Sequence, residues 1–152
     1  MPKSKSTEVK RKVQVWVHRS SQSGGEGSHG IEFLVLKTNP ARGSFWQPVT
    51  GHVESDELQS AAALREASEE TGILFLTKPV EVGEPFKFKK EDAEYSEQGF
   101  TLEAYAPKST VTLSSEHVES AWVTAEKARG MLRDESNKKM LDTLVTTLTK
   151  GK

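Results

Sequence analysis

Glu66, Glu69 and Glu70 stand at spacings of three and four residues in the segment LQSAAALREASEETG. If that segment is helical, 100° per residue puts all three carboxylates within about 100° of arc. Like charges at these spacings cost roughly 0.2–0.5 kcal/mol per pair, so the pattern asks for something that offsets the repulsion. Two readings stand at this point. One is a solvated acidic face, partly relieved by Arg65 pairing with Glu69 one turn later. The other is a divalent-cation site, because hard cations such as Mg²⁺ prefer carboxylate and water oxygens and commonly combine a few carboxylates with substrate phosphates. Periodicity alone does not choose between them.

Composition narrows the chemistry. The 152 residues include no cysteine, which excludes thiol catalysis, Cys-ligated zinc, iron–sulfur clusters and disulfide scaffolds. The four histidines, His18, His29, His52 and His117, have no metal-like spacing and read as ordinary surface or core residues, with His52 the nearest to the candidate site. A metal would therefore be held by oxygen. Lys plus Arg number 21 against 22 Asp plus Glu, a balance that argues against a generally basic nucleic-acid binder. The apolar runs fall short of the roughly 18 residues of a membrane helix, and the Lys/Ser-rich start lacks an apolar leader pattern. The expectation is a cytoplasmic protein with no membrane partner.

The elements that must position these residues are legible in outline. Residues 1–12 read as a mobile basic tail and 13–152 as one domain. Val13, Val15 and Val17 alternate with Gln14, Trp16 and His18, a strand signal. Ser20 to Gly30 is Gly/Ser-rich and predicts the long tip of a hairpin closed by Ile31–Lys37. Asp56 and Gln59 suggest a capping box opening a helix over Leu58–Thr71, and Gly72 is placed to end it. Its inward face would be Ser60, Ala63, Leu64, Ala67 and Thr71. Further strands are expected around Thr77–Glu84, Phe86–Lys89, Gly99–Ala106 and Trp122–Val123, with the acidic stretch Glu91–Glu97 solvated. Helical spacing returns over Ala125–Leu132 and Ser136–Thr149. Strands, an inserted helix, strands again and terminal helices make an α+β fold.

The segment GHVESDELQSAAALREASEETGI, from Gly51 to Ile73, resembles the signature of the Nudix hydrolases: Gly51, Glu57, Arg65-Glu66, an apolar Ala67, Glu69-Glu70, Gly72 and an aliphatic Ile73. Seven fixed identities at background frequencies of about 7% would coincide by chance about once in 10⁸ windows. The match favours the cation reading of the acidic helix. The resemblance implies a Nudix-type α/β/α sandwich with a mixed β-sheet and a loop–helix–loop catalytic motif. It also implies hydrolysis of a phosphoanhydride with Mg²⁺ or Mn²⁺.

Carried over residue by residue, the resemblance makes Glu66, Glu69 and Glu70 metal-site residues and pairs Glu57 with Arg65 as a brace between loop and helix. Shorter stretches resemble the bacterial dihydroneopterin triphosphate pyrophosphohydrolases: FWQPVTG at Phe45–Gly51, Glu116-His117-Val118 followed by Trp122, and Ser136-Asn137. By that likeness Glu116 is a further metal ligand, with Glu119 an ordinary exposed acid. Thr50 supplies a carbonyl to the metal or a hydroxyl to phosphate, standing where most of the family has glycine. Asn137 becomes a substrate contact. Lys37, with Arg42, is placed to meet phosphate oxygens, and Trp46 to stack on a base or pterin ring, although surface charge and core packing explain these side chains equally well. The implied substrate is a nucleoside or pterin triphosphate cleaved to the monophosphate and pyrophosphate. Triphosphorylated RNA 5′ ends, dinucleoside polyphosphates and nucleotide sugars are the alternatives, followed by a catalytically inert nucleotide sensor.

Overall fold

The strand β1 (Lys10–Ser20) is central because both of its faces are covered: Val13, Val15 and Val17 on one, and Gln14 and Trp16 on the other, are all fully buried. The computed structural model describes residues 9–20, 30–105 and 109–150. Residues 21–29 of the expected hairpin tip, the tail up to residue 8 and Ala106, the expected end of the strand from Gly99, lie outside the described residues. Strand β1 begins at Lys10, so Lys10–Lys12 belong to the sheet instead of the expected tail.

Among the described residues, seven strands form one mixed sheet: β1, β2 (Ile31–Thr38), β3 (Trp46–Gln47), β4 (Val49–His52), β5 (Val80–Lys90), β6 (Ala93–Glu103) and β7 (His117–Val123). The order is β3-β2-β1-β6-β5, with β4 on the first half of β1 and β7 on the free side of β2. β1 and β6 run parallel, and the other pairings are antiparallel. The expected sandwich is present. Helix α1 (Gln59–Thr71) packs Ala62, Ala63 and Ala67 against the Val13, Val15 and Val17 face. Helices α2 (Ala125–Met131) and α3 (Glu135–Lys150) cover the other face, where Met140, Leu141 and Leu144 meet Trp16, Phe33 and Val35. No helix among the described residues is long and apolar enough to cross a membrane.

Four local expectations need correction. The Asp56–Gln59 capping box does not form: α1 starts at Gln59 with the extended Leu58 as its cap residue, which makes no side-chain cap bond. Asp56 is therefore two residues outside the cap position. Leu64 is exposed and Ala62 buried, because the helix turns its small residues, rather than its longest apolar one, onto the sheet. The acidic stretch is solvated only in part: Glu91, Asp92 and Glu94 are exposed, but from Ala93 the chain is β6 and Glu97 is buried against the partner strand β1. Its long-range pairing leaves no mark in local composition. The two strands expected over residues 77–89 are one, β5, with a register irregularity between Val82 and Phe86. At its other end α1 closes as expected, with Gly72 in the left-handed region (φ 71°) and its N–H donating to the Ser68 carbonyl.

Candidate active site

The signature loop and helix are joined by one guanidinium. Arg65 Nε donates to Glu57 Oε2 at 2.8 Å and Nη2 to Glu57 Oε1 at 2.9 Å, a bidentate pair. Nη2 also donates to the His52 carbonyl at 3.0 Å, and Nη1 donates to Glu66 Oε2 at 3.0 Å. Glu69 is more distant, 3.5 Å from Nη1, and exposed. The Glu54 N–H donates to Glu57 Oε1 at 2.9 Å, closing the loop on itself. These bonds, Arg65 first and the Glu54 amide next, hold the Glu57 carboxyl down to about 2. The expected brace is therefore built, and its charges are mutually satisfied.

Glu66 lies directly over β4. A side-chain carbon on Gly51 would overlap its carboxylate, which is the physical reason that glycine occupies the position. Burial pushes the Glu66 carboxyl above its ordinary range; Arg65 opposes the shift, and the charges of Glu69 and Glu70 add to it. Glu70, one turn further along, is buried and faces another set of partners. Ser114 Oγ donates to its Oε1 at 2.6 Å, and His117 Nδ1 stands 3.0 Å from the same oxygen. Burial by itself would raise Glu70, but the His117 and Ser114 bonds outweigh it and hold the carboxyl below its ordinary value.

The donor set is all carboxylate oxygen, and its members repel one another, which fits a hard divalent cation. Among the described residues, however, no three His, Asp or Glu side chains converge on a common point that could hold a metal ion. Glu66 is turned to Arg65, and Glu70 to His117 and Ser114.

The remaining predicted residues fall into two places. Glu116 is in the loop that wraps Glu70: its N–H donates to Ser114 Oγ at 3.2 Å, and its carboxylate pairs with Arg42 at 2.8 Å. Arg42 in turn contributes positive charge at Glu70. The others sit on the opposite face of the sheet. Thr50 stands across from Gln14, so both look toward α3, whereas Gly51 looks toward α1. Asn137 is buried near the start of α3. Lys37 lies across from Trp46, which packs at the α2 side of the core, and comes within 4.0 Å of Glu119.

That face also holds an uncommon polar pair. Gln14 Oε1 accepts from Trp16 Nε1 at 2.8 Å, while its Nε2 is buried with no hydrogen-bond partner. Burial pushes the neighbouring Glu97 carboxyl up; Lys12 and the Gln14 amide draw it down, although Gln14 and Glu97 do not meet in hydrogen-bond geometry.

A model of the NUDIX domain matches residues 11–144, nearly the whole chain. The chain belongs to the Nudix family. Two curated relatives share local identity with this Nudix domain. An octanoyltransferase from Myxococcus xanthus is 32% identical over 97 residues, 62% of this chain but only 27% of that protein. A dihydroneopterin triphosphate diphosphatase from Haemophilus influenzae is 31% identical over 106 residues, 61% of this chain and 66% of that protein. The chain thus spans about a quarter of the first relative and just under two thirds of the second. Among solved structures, an Ap4A hydrolase from C. elegans in a binary complex superposes with a TM-score of 0.75 at 24% identity, covering 93% of this chain and 99% of the other. That likeness concerns the fold.

Sequence reasoning missed His117, Ser114 and Gln47. His117 Nε2 is 3.1 Å from the Gln47 amide nitrogen, so Glu70 is reached by a chain of side chains from β3 and β7. His117 is 47 residues from Glu70, a separation at which no local pattern signals contact.

Proposed function

We propose that this Nudix domain hydrolyses a phosphoanhydride in a nucleoside or pterin triphosphate, releasing the monophosphate and pyrophosphate. The observation that carries the reading is the braced helix: Arg65 locks Glu57 and Glu66 while Glu70 is held separately on the same face. Glu66, Glu69 and Glu70, with Glu116 and the Thr50 carbonyl, would hold Mg²⁺ or Mn²⁺. When bound, such an ion neutralises phosphate charge and lowers the pKa of water. The chain's own residues orient the parts. Arg65 keeps Glu66 against β4, Ser114 and His117 fix Glu70, and Arg42 and Lys37 supply positive charge to phosphate oxygens. A water oxygen bonds to phosphorus as the anhydride P–O bond breaks and the water's proton passes to a carboxylate of the helix, and the charge appearing on the departing pyrophosphate is what the site must stabilise.

Thr50, Asn137 and Trp46 are the proposed substrate contacts on the α3 face. The polar side chains of Gln14 and Glu97 beside Thr50 support reading a heterocycle there. The likeness to the Haemophilus diphosphatase and the FWQPVTG, SEH and SN stretches support a pterin triphosphate within the class.

The test is a panel of nucleoside and pterin triphosphates, dinucleoside polyphosphates, nucleotide sugars and triphosphorylated RNA, with products identified. Orthophosphate is expected only after inorganic pyrophosphatase is added, and chelation should abolish turnover. Glu70→Gln should lower kcat at least about a hundredfold, while Glu119→Gln leaves it within about twofold. Orthophosphate released directly, a preference for nucleotide sugars, or full activity after exhaustive chelation would overturn the proposal.

A further inference from the structure

Both hydrogen bonds that the described residues make to Glu70 land on one oxygen. Ser114 Oγ is 2.6 Å and His117 Nδ1 3.0 Å from Oε1. The directions of these bonds follow from their neighbours. Ser114 Oγ already accepts the Glu116 N–H at 3.2 Å, so its own proton goes to Glu70. The Gln47 amide nitrogen, 3.1 Å from His117 Nε2, can only donate, so Nε2 accepts and the ring proton sits on Nδ1, facing Glu70. His117 is buried and therefore has little room to reorient. The loop that carries Ser114 and leads into His117, the first residue of β7, is tied down too. The Asn39 side chain donates to the Ser115 carbonyl at 3.1 Å, and the Asn39 N–H donates to the Glu116 carbonyl at 3.0 Å.

We propose that His117, held in one tautomer by Gln47, is a positioning residue which with Ser114 commits Oε1 of Glu70 to the protein and presents Oε2 alone to a bound cation. The proposal rests on the reading of Glu70 as a cation ligand. An acidic helix face whose carboxylates were free to rotate would have to order them whenever an ion binds. Here one oxygen of Glu70 is used up beforehand, and the ordering cost is met by folding. Partners of this kind, one bond beyond a ligand, typically change metal affinity or activity by 10–100-fold when removed. Gln47, buried beside Trp46 on the short strand β3, turns its amide nitrogen to this ring.

The experiment titrates Mn²⁺ into the substrate-free protein, following free Mn²⁺ by electron paramagnetic resonance, with circular dichroism to verify the fold. His117→Leu should weaken Mn²⁺ binding about tenfold to a hundredfold. His117→Asn, which can place an amide N–H near the former Nδ1, should restore most of it, and Ser114→Ala should show a smaller loss in the same direction. In turnover, His117→Leu should lower kcat with the KM for substrate nearly unchanged. A purely structural lock between α1 and β7 would instead lower thermal stability and leave Mn²⁺ affinity alone. Folded His117→Leu with wild-type Mn²⁺ affinity, where Glu70→Gln has lost it, overturns this proposal and leaves the site reading standing. Wild-type affinity in Glu70→Gln overturns both. If His117→Leu does not fold, the more accessible Ser114→Ala carries the test, and unchanged affinity there overturns the proposal.

Discussion

Arg65 spends all three guanidinium nitrogens on the signature: two on Glu57, one of these also on the His52 carbonyl, and the third on Glu66. A lysine has one nitrogen and no fork, so it could not make this set of contacts. The Glu57 end of the brace has a pH signature. A carboxyl held down to about 2 in the fold contributes stability that is fully present above the ordinary carboxylate range and disappears as pH falls through about 2. Glu57→Gln should therefore melt below the wild type by a constant margin above about pH 5. That margin should shrink steadily between about pH 4.5 and pH 2. Melting temperatures of both proteins across this range check the sign, and a margin that widens on acidification would count against the brace.

At the scale of elements, two glycines set how closely helices approach the sheet. Gly51 lets α1 lay Glu66 on β4, and Gly99 on β6 lets α3 lay Met140 over β1 and β6. A methyl group on Gly99 would overlap the Met140 thioether. Gly99→Ala should cost about 1–3 kcal/mol as α3 is pushed outward or Met140 leaves its rotamer. The loss should be non-additive with Met140→Ala, because the smaller side chain leaves space for the methyl group. Urea denaturation of the single and double variants gives the coupling, and an interaction below about 0.5 kcal/mol would mean the helix yields without resistance.

In the whole molecule, one sheet separates two cores, and the candidate site uses both sides of it. Val17 is fully buried on the α1 face and Val35 on the α2–α3 face. Each change to alanine removes about two methylene equivalents, or about 2 kcal/mol. With the sheet between them, the two losses should add within about 0.5 kcal/mol. Unfolding should nevertheless remain a single transition, because β1 contributes side chains to both cores and neither can be lost alone. Fluorescence, which follows Trp16 and its neighbours, and circular dichroism should give coincident denaturation curves for all three variants. Separated curves would show that the two layers unfold independently.

What the sequence determined by itself is short-range. The helix carrying Glu66, Glu69 and Glu70 and its Gly72 terminus lie within one short stretch where spacing and backbone geometry suffice, and the Glu57–Arg65 pairing was implied by the resemblance of that same stretch to the Nudix signature. The strand character of β1 was legible for the same reason, since alternation is a local property. Tertiary structure alone decided which oxygen of Glu70 is engaged, because His117, Ser114 and Gln47 arrive through β7, its preceding loop and β3. It also decided that an acidic stretch becomes β6 and buries Glu97, since the parallel partner is β1, more than eighty residues earlier. Thr50 and Gly51 are adjacent in the chain, yet the pleat sends one toward α3 and the other toward α1. Which helix covers which face depends on the packing of both layers, and no local pattern encodes that choice.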